Sequence, residues 1–321
     1  FVFVGRRLVK QKDGRITISQ SHYATDVIIS KNKNNPEAKM GTDRDAMSEF
    51  RSAIGSLQWM AGTTRPDLAA DTSLLQRAHN DLTYGDLQEA NAILKYAKAT
   101  ADSHITIRPI PLDSLILVAY GDSAFANAPG GKSQGGFLIA ATTEKAAHHE
   151  TDASLLDWKS YRHQRVLRST LAAEAASLDK SEDYANFLGC MLGELTCPEY
   201  IASHSGKSPF AIWPVTDARS LFDAVHRLAT SFAEKRVEID IAALRQTCRN
   251  LRWVPTEAML ADGLTKRSRP LRDHLRIWQG NPKVSLTDSH EAEDTSNERW
   301  RTKPTENRTS EIVQKHVTFH V

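Results

Sequence analysis

The chain has 321 residues, enough for two domains of ordinary size. Apolar residues make up 40% of it and charged residues 25%, the balance of a soluble globular protein, and no apolar run reaches the roughly 18 residues of a membrane-spanning helix. Net charge is only +2, so any nucleic-acid footprint has to be local.

The opening Phe1-Val2-Phe3-Val4 reads as a strand cut out of something longer, and no signal peptide is visible. Asp13-Gly14 is a hairpin turn between 6–10 and 15–19, followed by a short helix. Residues 31–46 are polar and loop-like. From Met47 to Thr100 the pattern is helical. Phe50, Ile54 and Leu57 share a face, Pro66 suits a first helical turn, and Leu87, Ala90, Leu94 and Ala97 form a further stripe. A short alternating strand with Ile105 and Ile107 then runs into Pro109 and Pro111, where a domain boundary is expected.

The centre of the chain is Leu115-Ile116-Leu117-Val118-Ala119-Tyr120-Gly121-Asp122. A continuous apolar run suits a strand covered on both faces, and an acid at its end calls for a partner such as a metal ion. A turn at 129–133, a returning strand over Gly135–Ala141, an exposed loop at 143–154 and a third strand over Leu155–Ser160 predict an antiparallel meander. Helix over Arg168–Leu192 carries Glu174 in its first two turns. Strand over Phe210–Val215 ends in Thr216-Asp217, and helices follow over 220–228 and 234–250. A last strand over 251–254 leads through Pro255 to Asp262 and a final short helix. The order βββαβαβα describes a layered α/β domain. From 286 the chain turns polar, and a disordered tail is expected over 286–321.

Three cysteines, Cys190, Cys197 and Cys248, contain no CxxC pair and are odd in number, which reads as reduced thiols in an intracellular protein. Cys190, Cys197 and His204 lack a familiar zinc spacing. Four acids, Asp122, Glu174, Asp217 and Asp262, each stand at the edge of a separate element. Taken singly, each also reads as a turn, cap or surface residue. Together, several carboxylates around one spot suit two Mg²⁺ ions, which need only oxygen ligands.

A family resemblance joins these observations. Phe50-Arg51-Ser52-Ala53-Ile54-Gly55-Ser56-Leu57, Thr64-Arg65-Pro66-Asp67-Leu68-Ala69 and Ala92–Thr100 resemble the segment after the polymerase core in copia-type retrotransposon Pol polyproteins, as does Ile16–Tyr23. Tyr120-Gly121-Asp122-Ser123-Ala124, Asp157-Trp158-Lys159-Ser160 with Gln164, Ser169–Ala175, Val215–Ser220, Glu234–Asp240 and Trp253–Lys266 resemble ribonuclease H motifs of the same polyproteins. The sequence departs from the pattern at Phe125, where Trp is usual, and at Lys235-Arg236, where a basic-His pair is usual.

The resemblance implies a ribonuclease H-like mixed five-stranded sheet with flanking helices, preceded by a mostly helical connection segment. It assigns residues 1–104 to the C-terminal portion of a reverse transcriptase and 112–275 to the ribonuclease H-like domain. It implies metal ligation and catalysis by Asp122, Glu174, Asp217 and Asp262, with two Mg²⁺ ions and Mn²⁺ as a substitute. The substrate implied is the RNA strand of an RNA–DNA hybrid, and the partner the upstream polymerase part of the polyprotein. No Asp-Asp pair occurs in the chain, so the resemblance implies a fragment that does not polymerise by itself. No membrane contact is expected, and the location implied is intracellular, in a cytoplasmic virus-like particle or the nucleus. Two local basic runs are candidate backbone contacts: Lys159, Arg162, Arg165 and Arg168 before the Glu174 helix, and Lys266, Arg267, Arg269 and Arg272 after Asp262. His226 lies nearby as a helix-surface residue, which leaves a proton shuttle unassigned. A domesticated or decayed copy that binds nucleic acid or scaffolds without catalysis is the alternative. A recombinase of the same broad fold is disfavoured, because its acids run Asp, Asp, Glu.

Overall fold

The computed structural model describes residues 1–32, 34–76, 82–227 and 234–287. The tail expected from 286 onward lies outside them, apart from Leu286 and Thr287.

The first part of the chain is a small sheet and a helical layer. Strands β1 (Val2–Phe3), β2 (Arg6–Lys10) and β3 (Ile16–Ser19) form the expected hairpin, and α1 (Ser21–Asp26) follows. Gly14 turns the hairpin at φ +87°, a conformation glycine adopts without a side-chain penalty. Helices α2 (Arg44–Ala61), α3 (Ala69–Leu75) and α4 (Tyr84–Ala99) come next, with a 3₁₀ turn at Pro66–Leu68 between α2 and α3. Asp43 caps α2 through its side chain, and Thr83 with Asp86 forms a capping box on α4. Strand β4 (His104–Ile107) returns to pair antiparallel with β3, opposing Ile105 to Ile18.

The second part holds β5 (Leu115–Ala128), β6 (Lys132–Thr143), β7 (Thr151–Asp152), β8 (Ser154–Arg162), α5 (Thr170–Thr196), α6 (Ala202–Ser205), β9 (Ala211–Thr216), α7 (Arg219–His226), α8 (Lys235–Thr247), β10 (Arg252–Trp253), α9 (Asp262–Thr265), α10 (Arg269–Gly280) and β11 (Lys283–Val284). Five strands form one mixed sheet in the order β10-β9-β5-β6-β8. β5, β6 and β8 are the antiparallel meander, while β9 joins β5, and β10 joins β9, in parallel. This is the mixed five-stranded sheet the motifs implied. Its centre, β5, is wholly buried from Ile116 to Ser123.

Three expectations change. Residues 143–154 are not simply an exposed loop: β7 pairs with β11, and Ala146 and Ala153 are fully buried beneath it. The short helix expected at Asp262 is α9, but a further helix, α10, follows it over Arg269–Gly280; its signals are Pro270 in the first turn and the buried Leu275 and Trp278. The expected boundary at 103–112 is crossed by one hydrophobic core. Leu57, Leu87 and Leu94 of the helical layer belong to the same buried cluster as Ile116, Leu138 and Leu264 around the sheet. Polar ties follow the same seam: the Trp158 indole donates to the Ala61 carbonyl at 2.7 Å, and the Tyr96 hydroxyl to Asp273 at 2.8 Å. Arg65 and Asp67 of the Thr-Arg-Pro-Asp motif form a buried two-pronged pair, and Arg65 also reaches Thr100 at the end of α4. Two of the four motifs that carried the resemblance in this part, Thr64–Ala69 and Ala92–Thr100, therefore hold each other.

Candidate active site: an acid cluster on the central strand

Asp122 lies near the middle of β5, 2% exposed, opposite Gly136 of β6. Two glycines let neighbouring elements close over it. A Cβ at Gly121 would come within 2.9 Å of the Leu178 Cα and the Ser177 carbonyl, so α5 lies directly on the strand beside Asp122. A Cβ at Gly136 would come within 2.7 Å of the Leu264 Cβ, which is how α9 seats itself on β6. The close approach of α5 brings in Glu174, also buried, and the approach of α9 brings in its first residue, Asp262. Asp217 follows β9, the parallel neighbour of β5.

Ligand oxygens of Asp122, Glu174 and Asp217 all lie within 4.8 Å of one another. Among the described residues this is the one group of three or more His, Cys, Asp or Glu side chains close enough to share a metal; Cys190, Cys197 and His204 form none. Asp262 is joined to the group through Lys266, whose ammonium lies 2.5 Å from Asp262 Oδ1 and 3.9 Å from Asp122 Oδ2. Thr265 donates its hydroxyl to Asp122. Asp217 is not a helix cap: Ala218 occupies that place on α7. Its carboxylate instead accepts from the Thr256 hydroxyl at 2.9 Å, and its carbonyl from the Trp253 indole at 2.8 Å.

The electrostatics of this arrangement are unfavourable without a cation. Burial, with the neighbouring Asp122 and Asp217 charges, pushes the Glu174 carboxyl up to about 9. Burial pushes Asp122 up to about 7, against the pull of Lys266. Asp217 is raised as well, again chiefly by burial. Glu174 Oε2 is buried with no hydrogen-bond partner among the described residues. A buried, unpartnered carboxylate oxygen facing other carboxylates fits a hard divalent cation held by oxygens alone.

The basic candidates divide. Lys159, Arg162 and Arg168 are exposed. Arg165 pairs with Asp240 at 2.9 Å. Arg165 and Arg168 line a cleft of about 410 Å³ with Glu234, Lys235, Arg236 and Asp240, at the starts of α5 and α8. In the second run, Arg267 pairs with Glu89 of α4, Arg272 with Asp71 of α3 at 2.7 Å, and Arg269 lies 3.7 Å from Asp273. Lys266 sits in the acid cluster itself. Sequence reasoning placed Lys266 on substrate and did not pair it with acids; the available signal was its spacing of four from Asp262 on a helical turn. His226 contacts the Phe222 carbonyl and ring at the end of α7.

The sheet order, the long helix beside β5 and the acid cluster define an α/β fold built on a mixed five-stranded sheet. The resemblance to copia-type Pol polyproteins holds on comparison with curated proteins. The chain is 28% identical over 235 residues to the retrovirus-related Pol polyprotein from transposon RE1 of Arabidopsis thaliana, and 26% identical over 232 residues to that from transposon RE2. Each match takes in 70% of this chain and 14% of the polyprotein, so the chain spans a small part of the relatives it matches. Among solved structures, LC11-RNase H1 in complex with an RNA/DNA hybrid aligns at 17% identity and a TM-score of 0.30, over 46% of this chain and 93% of that one. A second structure of LC11-RNase H1, isolated from compost, gives 16% identity and a TM-score of 0.28. No protein-family profile matches the chain.

Proposed function

We propose that this chain is the ribonuclease H part of a retrotransposon Pol polyprotein, hydrolysing the RNA strand of RNA–DNA hybrids endonucleolytically at a site of four carboxylates and two Mg²⁺ ions. The observation that carries the reading is the convergence of Asp122, Glu174 and Asp217 oxygens within 4.8 Å. Asp122, Glu174, Asp217 and Asp262 would hold the metal, with Mn²⁺ as a substitute. When bound, such ions activate a water and stabilise the departing 3′ oxygen. Asp122, Glu174 and Asp262 sit on buried elements, and Asp217 stands on the turn after β9, where the Thr256 hydroxyl holds it.

Lys159, Arg162 and Arg168, with Lys235 and Arg236 across the cleft, hold phosphates of the hybrid. Discrimination of the RNA strand rests on its 2′-hydroxyls. Residues 1–104 are read as the end of a reverse transcriptase and 112–275 as the nuclease. The partner is the polymerase part of the same polyprotein. No helix of the described residues is long and apolar enough to cross a membrane; the location proposed is intracellular, in a virus-like particle or the nucleus.

The test is cleavage of an end-labelled RNA–DNA hybrid in Mg²⁺ by this chain and by Asp122→Asn. Cleavage confined to the RNA strand and lost in the variant is expected. Hybrid binding by both proteins with cleavage by neither would instead favour a module that only binds nucleic acid.

A further inference from the structure

Lys266 has a position that the nuclease reading does not use. It follows Asp262 by one helical turn, and its ammonium bridges acids from two elements that are far apart in sequence: Asp262 on α9 at 2.5 Å and Asp122 on β5 at 3.9 Å. Both acids are buried, with side chains 5% and 2% exposed, while the lysine side chain is 41% exposed. The lysine therefore enters the cluster from solvent along a flexible four-carbon stem. It makes a point-charge contact with two carboxylates and no fork-shaped, two-bond grip of the kind an arginine would make. Other cations of the second basic run are occupied elsewhere, Arg267 by Glu89 and Arg272 by Asp71. Lys266 is thus the cation of that run placed on the acid cluster.

When all four carboxylates are ionised they carry four negative charges, which two divalent ions would match. A fifth positive charge touching the same oxygens competes with those ions for position and for charge. The ammonium offers donors to the lone pairs that a metal would take. We propose that Lys266 is an internal counter-cation: it holds Asp122 and Asp262 together in the metal-free protein and is displaced to solvent by an incoming divalent ion, so that its removal tightens metal binding. This inference rests on the four-carboxylate reading and adds the residue that sets the affinity of that site.

Magnesium affinity, read by isothermal titration calorimetry on the whole chain without substrate, tests it. Lys266→Met should bind Mg²⁺ about tenfold more tightly than the parent, a coupling of ordinary size between competing ligands. Lys266→Arg retains the charge and can grip carboxylates through two bonds, so it should bind Mg²⁺ no more tightly than the parent. Lys12→Gln removes one positive charge from the exposed β2–β3 turn and controls for net charge; it should leave affinity unchanged. Thermal unfolding in EDTA gives a second readout, because Lys266→Met should unfold at a lower temperature than the parent without metal and regain that difference in Mg²⁺. Equal or weaker Mg²⁺ binding by a folded Lys266→Met overturns the proposal while leaving the acid site standing. Absence of Mg²⁺ binding in every protein, including the parent, overturns the carboxylate reading and this proposal with it.

Discussion

Lys159, Arg162 and Arg168 stand exposed on the β8 and pre-α5 side of the acid cluster, and among the described residues none of them is paired with a carboxylate. On the other side, Lys266, Arg267 and Arg272 each meet one: Asp262, Glu89 and Asp71. The two runs look alike as sequence. What separates them is the surface each packs against. The first emerges from a strand end and loop that face solvent. The second lies where α9 and α10 meet α3 and α4, helices that carry acids on the facing side. The Arg272 guanidinium also stacks 4.1 Å from the Tyr96 ring. A basic run beside a nuclease-like site can therefore serve the ligand or the fold, and the neighbouring element decides which.

Substitutions that remove the facing acids should break this contrast most strongly. Asp71→Asn leaves the Arg272 guanidinium, 19% exposed, without its carboxylate, and should cost about 3 kcal/mol in urea unfolding. Arg162→Gln and Arg168→Gln should each change stability by less than about 0.5 kcal/mol. Similar losses at all three positions would mean that the two runs do the same work.

The acid cluster between the runs should show its strain as a pH dependence. The Glu174 carboxyl is raised to about 9 and Asp122 to about 7, in both cases chiefly by burial. A folded chain with raised values holds protons that the unfolded chain has already released. The stability this contributes is complete below about pH 4 and is lost as pH rises through 7 and 9. In EDTA the melting temperature should therefore fall between about pH 5 and 9, and fall less in Glu174→Gln. Saturating Mg²⁺ should raise it most at the alkaline end, where the acids are free to bind metal. A flat profile in EDTA would show that the acids are not confined as described.

The smallest effect sharpens the comparison from the ligand side. Arg162→Gln or Arg168→Gln should lower hybrid affinity and reduce the slope of log affinity against log salt by about one. Arg269→Gln, whose side chain is 81% exposed and 3.7 Å from Asp273, should shift that slope less. An equal shift would place the second run on the substrate as well.

The strands of the meander, the long Glu174 helix and the order of the four acids were legible because each depends on local pattern. An unbroken apolar run makes a buried strand wherever it is placed, although β5 runs on past Asp122 to Ala128, so the acid expected at its end lies near its middle. The signals of α10, Pro270 in its first turn and the buried Leu275 and Trp278, are local too. The seam at 103–112 reads as a boundary from its prolines, yet the core passes beneath it, since nothing local records that Leu57 and Leu264 share one cluster. By itself, then, the sequence determined most of the elements, their order and which acids fall on or beside them. Tertiary structure alone decided that Gly121 and Gly136 admit α5 and α9 to the strand, that three carboxylates come within 4.8 Å, and that Lys266 answers Asp122 as well as Asp262. The reason is physical: secondary structure follows from nearest neighbours along the chain, whereas the charge a side chain meets depends on which distant element the core places opposite it.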